Sequence, residues 1–334
     1  MAFIGDRNDI WHRFGEQMLP GEPLEEWAHR AGLDWTAVMV PALAVLQGEA
    51  FEHVPAESRI VEVPGQRFLA RSDNGHILGY VSDGYQIVQP ITVLEWFRDY
   101  IADDSRFQLD VAGVLGQGER IWATAKFTPN GGDGITVAGE RHLARLLMAT
   151  SFDGSLATRN KILLTRVVCQ NTMAVGLGEK TPNITTRHNT RFDAARVKRE
   201  LSKLAAATER FKLIGDAMAT VHLDSNAMLS FFRQCLEIAE SEKLEDISTR
   251  KQNQLAALAS AHDRSVAEGA EKFTAWSGLQ AVTRYADHER STRGGENEDA
   301  ARFDSANFGS GDQLKQRAMG ILMPLIKDRV PVAA

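Results

Sequence analysis

The chain has 334 residues, 43% of them hydrophobic and 25% charged, with a formal net charge of -6. These proportions suit a globular protein that buries a sizeable core as one large or two smaller domains, and they exclude an intrinsically disordered chain. Two cysteines, Cys169 and Cys235, exclude a disulfide framework, and no Cys-x-x-Cys or His-x-x-x-His pair suggests zinc.

The opening Met-Ala-Phe-Ile-Gly meets Asp6 and Arg7 at once, so a signal peptide is not expected and the expected compartment is the cytoplasm. Leu24 to Ala31 reads as a helix stopped by Gly32. Thr36 to Leu46 also reads as helical, weakened by Pro41. The longest uncharged run, 14 residues from Trp35 to Gly48, is short of the ~20 apolar residues that span a bilayer, so no membrane span is expected.

Three hairpin signals follow. Asn74-Gly75 lies between Phe68-Leu69-Ala70 and Ile77 to Val81, and Asn-Gly readily supplies the two positive φ angles of a type I′ turn. Gly116-Gln117-Gly118 separates Leu109 to Leu115 from Arg120 to Phe127, where apolar Ile121, Ala123, Ala125 and Phe127 alternate with Trp122, Thr124 and Lys126. Asp153-Gly154 joins Leu146 to Phe152 with Leu156 to Leu163. Between the first two, Thr92 and Glu95 read as a capping box, and Val93, Trp96, Phe97, Tyr100 and Ile101 form an apolar stripe after Pro90.

Beyond residue 190 the periodicity becomes helical. Thr190 and Asp193 suggest a cap, with Val197, Leu201, Leu204, Thr208 and Phe211 as one seam. Helices are expected over Ser225 to Glu240, Ser248 to Glu268, Phe273 to Ala286 and Ser310 to Met323, with a polar loop at Gly294 to Asp299. The expected class is therefore α+β: an antiparallel meander sheet with covering helices over residues 1-190, then a helical region, 191-334, packed on it or forming an arm.

Charge is unevenly spread. Residues 141-212 hold fourteen Lys or Arg against five acids, a net of +9, so the remainder carries -15. Clustered cations favour a polyanionic partner, and a solvated helix face is the other reading of the same residues.

Ser151-Phe152-Asp153-Gly154-Ser155-Leu156-Ala157-Thr158-Arg159, followed by Thr165-Arg166-Val167-Val168-Cys169-Gln170-Asn171-Thr172, resembles a phage/plasmid-like protein family built on a domain of unknown function. Trp11-His12 and Gly79-Tyr80-Val81 to Tyr85 resemble its early landmarks. Ala281-Val282-Thr283-Arg284-Tyr285-Ala286-Asp287-His288 and Phe308-Gly309-Ser310-Gly311 to Lys315-Gln316-Arg317-Ala318 resemble its closing motifs. The resemblance covers nearly the whole chain and carries no established site residues. Arg284 stands where the family's tyrosine motif usually has an acid. The resemblance implies a mobile-element setting and a strand-rich core similar to that of single-strand annealing proteins.

Arg159 and Lys161 share strand parity, with Arg166 soon after and Arg187, His188 and Arg191 leading into the next helix. Together the five cations Arg159, Lys161, Arg166, Arg187 and Arg191 form the candidate phosphate-binding set. Phe152, Trp122 and Phe192 are the aromatics available for base stacking, with core packing the expectation for Trp122 and Phe192. Gln170, Asn171 and Thr172 are expected to be structural hydrogen-bonding residues. Cys169 with His188 as a nucleophile pair, and Asp287-His288-Glu289 as a metal site, lack supporting motifs, and no phosphate-cradling glycine loop is present.

Two readings stand. One is a non-enzymatic protein that binds or anneals single-stranded DNA, as a homo-oligomer and without cofactor or metal. The other is a protein-binding inhibitor of a host defence or replication factor, drawing on the acidic remainder.

Overall fold

The structure is a computed structural model describing all residues except 6, 8-14, 104-105, 129-133, 168-171, 175-183, 191-192, 194, 196-203, 269-271, 293-297 and 331-334. Its strands are β1 (Ala2–Phe3), β2 (Glu16–Gln17), β3 (Ala37–Val45), β4 (Ile60–Arg71), β5 (Ile77–Ser82), β6 (Phe107–Leu115), β7 (Arg120–Phe127), β8 (Ile135–Val137), β9 (Glu140–Ser151), β10 (Thr158–Arg166), β11 (Thr172–Ala174) and β12 (Ile184–Thr186). Its helices are α1 (Leu24–Ala31), α2 (Pro90–Asp103), α3 (Leu204–Ala219), α4 (Ser225–Cys235), α5 (Thr249–Ala267), α6 (Ala275–Arg284), α7 (Glu298–Phe308) and α8 (Ser310–Leu322). The class is α+β, as expected, with helices mostly in the C-terminal half.

The larger sheet runs β11-β10-β9-β7-β6-β1-β2, with β12 also on β10 and β8 on β9; the smaller runs β3-β4-β5. All three hairpin signals mark real strand reversals. The first differs in its turn, because only Gly75 takes a positive φ, of 73°, and Asn74 does not. Asn74 instead accepts from the His76 N–H at 2.9 Å, closing an Asx turn inside a longer loop.

The largest correction is residues 36-46, a strand rather than a helix. Val38, Val40 and Val45 are β-branched, and β3 pairs antiparallel with β4 from Ala37↔Arg71 to Val45↔Ile60, which outweighs the apolar run's helical look. Thr92 is not a helix cap, since α2 begins at Pro90 and Thr92 lies inside it. The helix expected from Ser225 to Glu240 ends at Cys235, and Glu237 takes a positive φ of 54°. Helix α7 begins at Glu298, inside the stretch expected to be a polar loop. Ser248 caps α5 through the Lys251 N–H, and Thr274 caps α6 reciprocally with Ser277.

The chain divides into two compact units, each assembled from three stretches. One comprises Met1–Ala125, Leu147–Asn160 and Ile184–Lys198; the other Lys126–Leu146, Lys161–Asn183 and Arg199–Ala334. β9 and β10 each contribute residues to both units. In the first unit, Trp35 meets Phe152 edge-on at 5.2 Å. There Gly79 of β5 lies so close to the Phe152–Asp153 backbone that a Cβ would sit 2.5 Å from the Phe152 carbonyl oxygen. Sequence-distant turns thus pack backbone to backbone. In the second unit, Trp276 of α6 is buried against Phe211 of α3 and His142 of β9, at 6.0 and 5.8 Å.

Candidate functional site

Of the five candidate cations, Lys161 and Arg166 are buried and committed to ion pairs. Lys161, 3% exposed, donates to Asp312 at 2.7 Å and to the Asn307 carbonyl at 2.5 Å. Its ammonium thus sits at the C-terminal end of α7, where a helix dipole favours a cation, and beside the first-turn acid of α8. Arg166, fully buried, pairs with Glu140 and donates to the Glu268 carbonyl at 3.2 Å; the other Glu140 oxygen accepts from the Trp276 indole at 3.1 Å. Neither cation presents itself to a phosphate backbone.

Arg159 is partly exposed and Arg187 exposed, while Arg191 lies outside the described residues. β12 pairs antiparallel with β10, and Arg159 stands directly opposite Thr185. Arg187 is the first residue beyond β12. His188 follows, stacked on Tyr85 at 4.3 Å. Its ring nitrogens face the carbonyl oxygens of Gln86 and Leu156 at 3.1 and 3.0 Å. These contacts anchor the end of β12 within the first unit. Phe152 and Trp122 are both buried and offer no stacking platform; Phe192 lies outside the described residues.

A second constellation, which the linear reading did not assemble, occupies the other unit. Asp287 and Lys315 are 9% and 2% exposed and pair at 2.7 Å. Both also bond the backbone of Thr172 in β11: Asp287 accepts its N–H at 2.7 Å and Lys315 donates to its carbonyl at 2.8 Å. β11 ends the sheet's strand order, so the acid-base pair takes the place of a further strand at buried backbone groups. The pairing needs Asp287 turned inward from the π-helical turn Tyr285–Glu289, and that turn sends Glu289 elsewhere. Glu289 binds Arg264 at 2.5 Å and Arg284 at 3.0 Å, and Arg284 also binds Glu268 at 2.5 Å.

Asp287 and Glu289 face different partners, and among the described residues no group of three or more His, Cys, Asp or Glu is placed to hold a metal ion. Burial pushes the Cys235 thiol up to about 12, so it is a poor nucleophile at neutral pH. Cys169, Gln170 and Asn171 lie outside the described residues. His142 is pushed down to about 4, chiefly by burial and also by the Arg166 charge, against a raising contribution from the Glu140 carbonyl 3.0 Å from Nδ1. It is a neutral core histidine.

Residues 77–307 match the family model described as Domain of unknown function (DUF932). The chain belongs to the DUF932 family. The matched region contains Arg159, Arg187, Thr172 and Asp287, whereas Asp312 and Lys315 lie beyond its end and the distal part of β3-β4 precedes it. No curated protein and no solved structure matches the chain. Among the described residues no helix is long and apolar enough to cross a membrane. Thr172 and Asp287 inside the matched region and Lys315 beyond it, far apart in the sequence, meet in one hydrogen-bonded network.

Proposed function

We propose that this DUF932 chain is a non-enzymatic nucleic-acid-binding protein of a phage or plasmid, acting in the cytoplasm to bind, protect or anneal single strands. The observation that carries the reading is the β10-β12 pairing, which brings Arg159, opposite Thr185, and Arg187, the residue after β12, to one sheet margin within the +9 stretch of the chain. Guanidinium groups bind phosphate bidentately, and two on one strand pair can track successive phosphates without reading bases. Lys161 and Arg166, buried in ion pairs, are not part of this contact set.

The test is binding of labelled single-stranded and double-stranded DNA across a salt series, comparing the wild type with R159A/R187A. Removing two phosphate contacts should lower the single-strand salt slope by about 1.4, from a loss of about 0.7 per contact, with melting unchanged. A wild type that fails to bind at low salt, or a double variant with the wild-type slope, would overturn the reading and leave the protein-partner alternative.

A further inference from the structure

The β3-β4 hairpin extends well past the point where it joins β5. From residue 43 to residue 66, twenty-four consecutive positions, no residue is buried. Yet eleven of the twenty-four are Ala, Val, Ile, Leu or Phe, a share no lower than the 43% of the whole chain. This arm therefore has the composition of a core and no core of its own. A two-stranded ribbon in water is marginal without a covered face, so the composition calls for a cover.

The register shows which face. β3 and β4 lose their regular pairing between Pro41 and Leu43 and resume it with Leu43↔Glu62, Ala44↔Val61 and Val45↔Ile60. Antiparallel partners project to the same side, so Leu43, Val45 and Ile60 form one apolar strip, 55%, 57% and 59% exposed. Glu62 flanks it, tied to Arg67 near the base of the arm.

Charge narrows the occupant. The arm carries Glu49, Glu52, Glu57 and Glu62 against Arg59 alone, which disfavours a nucleic acid or an anionic lipid surface. A protein surface with excess positive charge is the complement. The same chain supplies cations for it at the β10-β12 margin, where Arg187 is exposed and Arg159 partly exposed.

We infer that the β3-β4 arm is a self-association device: its Leu43-Val45-Ile60 strip and acidic tip dock on a second copy of this chain. The inference does not depend on nucleic-acid binding.

Sedimentation velocity of the full chain across a dilution series, at low and high salt, tests it, with V45E/I60E alongside. The expected result is a wild-type dimer or larger assembly weakened by salt, and a folded variant whose dissociation constant rises on the order of tenfold or more, since two apolar contacts become charged. A wild type monomeric throughout, or a variant that assembles as the wild type does, would overturn it. Should the variant fail to fold, hydrogen exchange of the wild type decides: amides at 43-46 and 59-62 must exchange more slowly in concentrated than in dilute protein, and equal rates refute the inference.

Discussion

Lys315 and Asp287 illustrate how a charged residue can become a structural one. Each is nearly dry, so removing one partner leaves the other buried and uncompensated and also releases half of the Thr172 backbone from its cap. Lys315→Met should cost about 3–5 kcal/mol in urea unfolding. Combined with D287N it should lose well under the sum of the single changes, because the two side chains act as one unit. His142 makes a pH prediction at the same scale. Its folded pKa is pushed down to about 4 by burial, below the usual value of about 6.5 in an unfolded chain. Above pH ~6.5 neither state holds the proton and the group contributes nothing to pH dependence. Between pH ~6.5 and ~4 the unfolded chain binds more protons, so stability falls as pH is lowered through that window, by about 3 kcal/mol in all. His142→Phe should flatten that part of the stability profile; a profile identical to the wild type would show that other groups govern it.

At the scale of elements, backbone proximity sets the tightest constraints. Gly79 in β5 faces the Phe152–Asp153 turn with no room for a Cβ, and the obstructing atoms are backbone, which cannot swing aside. Gly79→Ala should therefore lower stability by about 1–3 kcal/mol by forcing the sheets apart, measurable as a reduced urea midpoint. A substitution at Gly75 acts differently: it meets open space, and its cost comes only from the φ of 73°. The hairpins were legible because their glycines and alternating apolar residues act locally. Strand β3 was not, because Trp35 to Gly48 has the apolar content of either element, and the deciding factor is β4, which begins fifteen residues after β3 ends. The early end of α4 belongs to the same class: buried Arg233 donates to the carbonyls of Ala239 and Glu242, drawing the following loop back on the helix end.

For the molecule as a whole, substitutions among the candidate cations should separate into two kinds. R159A/R187A is expected to change the salt dependence of DNA binding and leave melting unchanged. K161A/R166A should lower the melting temperature first, and any loss of binding should follow loss of folded protein in circular dichroism. The sequence by itself determined the α+β class, the three chain reversals, most of the C-terminal helices and the concentration of positive charge, since all of these follow from local periodicity, turn chemistry and composition. Only the tertiary structure decided which cations face outward. Strand parity gives Arg159 and Lys161 the same side of β10, yet one is partly exposed and the other lies under the α7-α8 junction, because burial depends on what packs above a strand, from residues about 150 positions away. The bare β3-β4 arm emerged for the converse reason: its residues look like core, and only the fold shows that none of them is buried within the described chain.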